Sequence, residues 1–178
     1  MSPPESSTEA DTRGPLERFE ARAAAVGTET SRVAAETATA AIEAACRGAT
    51  VGSPLGSEVS LPSSVTVDPT REELLAAETG VTAGTLAIAA YGTVVVTPSP
   101  NQEGAVSLFP PRHVAVVRAA DVVPDMAAAF DRLAEAFAAG RDDAVFVTGP
   151  SATADMGELV QGVHGPAEMH VVVVEGSA

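Results

Sequence analysis

Lysine is absent from this 178-residue chain, so all ten basic residues are arginines, set against 24 acidic ones for a net charge of −14. A field of that sign repels phosphate backbones and speaks against a nucleic-acid partner. Tryptophan is missing too, and aromatics make up only 3%. The core must therefore be built from Val, Ala, Leu and a few Phe. A lone cysteine, Cys46, excludes an internal disulfide and any cysteine-based zinc or iron–sulfur site within the chain. Its alanine-rich helix assigns it to the core. No apolar run approaches the ~20 residues of a bilayer span. The opening MSPPESSTEADTRG lacks the basic and apolar regions of a secretory signal. A cytoplasmic protein is expected.

Hydrophobic residues make up 46%, enough for one domain with its own core. Missing lysine together with high acidity fits a GC-rich genome with an acidic surface or, as their joint occurrence favours, a protein adapted to high internal salt, where screening relieves self-repulsion. The thermal midpoint is then expected to rise substantially between ~0.1 M and molar KCl, as the Debye length shrinks to roughly 3 Å. An unchanged midpoint in a salt series of thermal melts would rule that adaptation out.

Residues 1–14 are rich in Pro, Ser, Thr and Glu and read as a disordered tail, leaving 15–178 as a single domain. Pro15 opens a helix that runs to Gly27. A short strand (28–34) and a second helix (35–47) follow. Residues 49–70 are broken by Gly, Ser and Pro, with a brief strand at 64–68. Asp68 or Thr70 caps a helix over 71–78, which stops before Gly80. Residues 86–90 and 93–98 are strands separated by Tyr91-Gly92, a hairpin or one bent strand. Residues 99–111 read as loop and 113–117 as a buried strand. Asp121 and Pro124 introduce a helix whose apolar stripe is Met126, Phe130, Leu133 and Phe137. A strand (144–148), a short helix (152–161) and a last strand (169–174) would form a parallel crossover. The order implies a three-layer α/β sandwich with a mostly parallel sheet and one antiparallel hairpin.

Two glycine-rich turns in the C-terminal half are the places for a ligand, expected beyond the carboxyl ends of strands. In TGPSATAD (148–155), Gly149 and Pro150 turn the chain, and Ser151 or Thr153 would cap the 152–161 helix, whose free N–H groups suit an anion. In GVHGP (162–166), His164 sits between glycines, with Gly165 beside it. Arg112, leaving a Pro-Pro turn, is the side chain best suited to grip a carboxylate. Its removal is expected to weaken anion binding and leave the fold intact. Ser151, His164 and Asp155 carry hydrolase chemistry in principle, but GPSAT is not the G-x-S-x-G elbow. His113, His164 and His170 lack helical ligand spacing, so no metal site is assigned.

GPSATADMGELVQGVHGP (149–166) with its following valines resembles the signature of the LUD family, the lactate-utilisation group, in its small C-type (LutC-like) form. GVTAGTLAIAAYGTVVV (80–96) and SLFPPRHVAVVRAADVVPDM (107–126) resemble two further motifs of that family, in order. The resemblance covers 80–175 and is weak over 15–79. It implies a NagB/RpiA/CoA-transferase-like fold, which is Rossmann-like. It also implies a part in oxidising L-lactate to pyruvate beside partner subunits that carry iron–sulfur clusters, with no cofactor in this chain.

Three positions depart from the family pattern: Ala90 replaces an acidic residue, Ala152 a polar or basic one, and Gly157 an acid. A carboxylate catalyst at position 90 is impossible here. A binding role survives through Arg112, His113, Gly149, Ser151, Thr153, Asp155, His164 and Gly165. Three readings stay open. One is a subunit or accessory protein of a lactate-oxidising iron–sulfur system that binds a small organic anion. The others are a stand-alone enzyme acting on acyl or sugar-phosphate substrates, suggested by fold analogy alone, and a non-catalytic assembly domain. Homo-oligomerisation is open in all three.

Overall fold

Valine-rich runs become strands because β-branched side chains pack well on a pleated surface and lose rotamer freedom in a helix. The computed structural model describes residues 13–56, 58–141, 143–153 and 160–176. Its centre is a six-stranded, wholly parallel sheet. In spatial order the strands are β1 (Glu29–Ala34), β12 (Glu168–Glu175), β7 (Arg112–Arg118), β4 (Thr79–Ala83), β2 (Thr50–Gly52) and β3 (Thr66–Val67). The interior strands β12 and β7 carry valine runs without alternation, as strands covered on both faces must.

One face of that sheet meets α2 (Ala38–Ala45). Ala38, Ile42 and Ala45 pack on Val81, Val114, Val116, Val172 and Val174. The other face meets α1 (Pro15–Ala25) and a second sheet. Phe19 and Ala23 share a core there with Ala87, Ala89, Val94, Ala115, Val117, Val171 and Val173. The second sheet runs β8 (Val122–Val123), β5 (Leu86–Ile88), β6 (Thr93–Val96), β9 (Val145–Val147). Its β5–β6 hairpin is antiparallel, as the break at Tyr91-Gly92 implies. Helix α5 (Met126–Ala138) covers its outer side through Ala129 and Leu133, and its cap is Asp125 Oδ1 accepting from the Ala128 N–H at 3.0 Å. Thr70 caps α3 (Arg71–Ala76) with a reciprocal bond to Glu73.

Several sequence expectations are corrected. Thr79–Ala83 is a strand rather than the aftermath of a helix. Gly80 allows this, since a Cβ there would lie 2.0 Å from the Val106 carbonyl of α4 (Glu103–Leu108). That helix forms within the stretch 99–111 whose weak periodicity predicts loop, and β2 forms among the Gly and Ser of 49–70. The apolar face of α5 is rotated: Phe130 and Phe137 are exposed, and Phe130 tilts against Phe146 of β9 at 6.4 Å between ring centres. The short helix expected over 152–161 is replaced at both described ends by strand. Residues β10 (Ala152–Thr153) and β11 (Val160–Gln161) pair antiparallel, as Thr and Val favour. The strand before them, β9, joins β6 rather than β12, so the expected crossover does not form. Most of the tail read at 1–14, and the interior of the 152–161 segment, lie outside the described residues.

Candidate functional site

The two glycine-rich turns meet. The Ser151 N–H donates to Pro166 O at 2.7 Å, and the Gly162 N–H donates to Ser151 O at 2.9 Å. A Cβ on Gly165 would stand 3.3 Å from that of Ser151. Gly149 adopts φ +73°, where its missing Cβ would come within 2.6 Å of Val26 O, so the turn seats directly on the end of α1. A third segment joins them, because Thr93 and Thr148 share a hydroxyl–hydroxyl bond of 2.6 Å. Ser151 and Thr153 are half-buried and His164 is exposed. Asp155 and Gly157 lie outside the described residues. Pro166 leads into Glu168, the first residue of β12, which pairs with Arg112, the first of β7. The turns therefore stand at the amino edge of the parallel sheet, opposite the carboxyl edge where sequence reasoning put them. Thr153 lies in extended backbone, in β10. The Ser151 and Gly162 N–H groups are spent inside the turns.

Arg112 is at the same edge but is buried rather than at a loop mouth. Its Nε donates to Ala45 O at 2.7 Å, one amino group donates to Glu168 Oε2 at 2.5 Å and the other to Glu29 Oε2 at 2.8 Å. Hydrogen bonds from Arg112, and then from His170, hold the Glu29 carboxyl below the usual carboxylate range. Arg47 donates at 2.7 Å to the same Glu168 Oε2 that Arg112 reaches. His170 links Glu29 (Nδ1, 3.2 Å) to Ser31 (Nε2, 3.0 Å). The sequence reading missed Glu29, Glu168 and His170 as partners of Arg112, and Ser31 as the partner of His170. They come from β1 and β12, which meet only in the fold.

His113 is fully enclosed. Its Nε2 lies 2.8 Å from the Thr82 hydroxyl, Nδ1 has no partner, and burial pushes its pKa down to about 4. A neutral imidazole in that position packs β7 against β4 and does not reach a ligand. Burial also raises the pKa of the half-buried Cys46 thiol. Among the described residues no group of three His, Cys, Asp or Glu side chains could hold a metal, and no helix is long and apolar enough to cross a membrane.

The carboxyl edge carries a feature that sequence reasoning missed, a cleft of about 530 Å³. Its walls come from segments that follow β2 and β4, from the ends of β7 and β12, and from α5. Arg118, Arg132 and Arg141 all line it. The buried Asp121 carboxylate accepts from Arg118 Nε at 2.6 Å and from Arg132 at 3.0 Å. The available signal was arginine placement, since scarce cations recur at 118, 132 and 141.

Motif, fold and comparison agree on descent. The family model described as LUD domain matches residues 58–174. The chain belongs to the LUD-domain family. Lactate utilization protein C of Bacillus licheniformis is 38% identical over 105 residues, 56% of this chain and 43% of that protein. The protein of the same name from Bacillus subtilis is 35% identical over 102 residues, 55% of this chain and 42% of that one. The chain thus spans less than half the length of these relatives. A crystal structure of a DUF162-family protein from Deinococcus radiodurans superposes with a TM-score of 0.69 at 26% identity, covering 90% of this chain and 96% of that one. Within this LUD domain, Ala90 ends the β5 side of the hairpin and its N–H donates to Pro124 O at 3.1 Å. Its methyl group carries no acid. Ala152 is exposed at the start of β10.

Proposed function

We propose that this LUD-domain chain works in L-lactate oxidation as a C-type (LutC-like) subunit or accessory protein, binding a small organic anion at the paired turns. Partner subunits would carry the iron–sulfur clusters. The observation that carries this reading is convergence: Thr93, residues 148–151 and residues 162–166, far apart in sequence, meet through hydrogen bonds. The names of the relatives supply the pathway. The His164 imidazole and the Ser151 and Thr153 hydroxyls are the side chains that the turns would offer to an anion as hydrogen-bond partners. Arg112 contributes indirectly, by tying the start of β12, just after the second turn, to β1 and α2.

Calorimetric titration of lactate and pyruvate at fixed high salt tests this. His164→Ala is expected to weaken binding by roughly 1.5–3 kcal/mol, the range for charged hydrogen bonds. Ser151→Ala should weaken it less. Equal affinity in all three proteins removes the turns from the site. Absence of binding in the wild type would favour a non-catalytic assembly domain, a reading that the loss of the acid at Ala90 supports. Co-purification at high salt with a chain bearing repeated Cys-x-x-Cys motifs would support the partner assignment.

A further inference from the structure

From the cleft at the carboxyl edge of the parallel sheet we infer a second ligand site, one that takes an amphipathic organic anion: a single anionic head on an alkyl or acyl body. Loops that diverge from neighbouring parallel strands leave a crevice there, the usual ligand position in such sheets. Its volume, about 530 Å³, falls within the range of sites that enclose sizeable organic ligands and far exceeds what an anion of lactate's size fills.

Charge and apolar surface together define the occupant. The chain has ten cations in a field of −14, yet Arg118, Arg132 and Arg141 converge on this one cleft. Asp121, itself buried, fixes two of these guanidiniums side by side. Held in that way they lose little side-chain entropy on gripping a head group. Three carboxylates, Glu58, Asp121 and Glu135, also line the cleft and balance its arginines. A small hydrophilic anion therefore gains little from net charge. The remaining attraction is apolar and comes from Leu55 and Ala136, with the exposed edges of the core residues Val59, Leu86, Val116 and Leu133. Head and body are both required.

A homologous series of straight-chain carboxylates, acetate to octanoate, titrated calorimetrically into the full chain at molar KCl reads both halves. Affinity is expected to rise about fourfold per methylene, the factor equivalent to ~0.8 kcal/mol per buried CH₂, and to level off when the apolar wall is covered. Arg132→Gln should weaken octanoate about tenfold, as for loss of a charged hydrogen bond. Ala136→Glu, a change on a partly exposed helix position, should abolish the chain-length dependence while circular dichroism shows the fold retained. A series flat from acetate to octanoate overturns the inference, as does an unaltered slope in Ala136→Glu. Equal binding of 1-octanol and octanoate overturns the anionic half. The responses to Arg132→Gln and Ala136→Glu arise in this cleft alone, whereas the turns are tested with lactate and His164→Ala.

Discussion

Acidification from pH 7 to pH 4 is expected to remove about 3 kcal/mol of folding stability through one side chain, His113. The imidazole is fully buried between β7 and β4, with a hydroxyl on one nitrogen and nothing on the other. Burial disfavours the charged ring, so the folded pKa falls from 6.5 to about 4. Between those values the unfolded chain binds a proton that the native protein does not. Stability is thus full above the unfolded pKa and declines as pH drops through 6.5, levelling off near 4. By pH 5 the loss should reach about 2 kcal/mol. Urea denaturation of wild type and His113→Leu across this range checks it. The leucine variant loses the Thr82 bond, which costs about 1 kcal/mol at neutral pH, but its stability should not follow the same pH slope. Relief of carboxylate repulsion on acidification acts on both proteins and cancels in their difference. Parallel curves would show that His113 is hydrated in the native state.

The same residue shows how far sequence carries. Its strand was legible, because five residues from His113 to Val117 hold three valines and an alanine, and only a sheet interior uses such a run. The turns were legible as turns from their glycines, and so was their family, since the motifs occur in order. What sequence could not supply was the edge of the sheet. A strand's direction relative to its neighbours depends on crossovers, and the expected helix over 152–161 would have set β9 parallel to β12. Strand pairing of Thr153 with Val160 instead sends β9 to the other sheet. The turns consequently land at the amino edge. Phe130 and Phe137 misled for a different reason: the helical period was right, but alanines such as Ala129 pack as well against a close sheet as larger side chains do. Glu29 and Glu168 offered no local signal at all, because their partner Arg112 is 83 and 56 residues away.

Arg112→Ala is expected to cost about 3 kcal/mol of stability, contrary to the benign substitution expected of an arginine at a loop mouth. The guanidinium is buried and holds three separate elements: the Ala45 carbonyl at the end of α2, Glu29 at the start of β1 and Glu168 at the start of β12. Truncation leaves the carbonyl without its donor, at about 1 kcal/mol. It also opens a gap where the aliphatic stem packed. Both carboxylates lose their cation, yet their side chains are 60% and 47% exposed and can rehydrate. The cost therefore falls at or below the lower end of the ~3–5 kcal/mol seen when a fully buried pair is broken. Arg112→Lys keeps the charge but not the three-way fork, and should recover only part of the loss. The acid limb supplies an independent readout. Glu29 stabilises the fold above its unfolded pKa, and that contribution fades as pH falls through its lowered folded value. Without Arg112 this part of the acid loss should shrink, while the His113 part, above it in pH, persists. A wild-type denaturation midpoint in Arg112→Ala would mean that desolvating the guanidinium offsets its bonds. The cluster would then specify strand order at the amino edge without stabilising it.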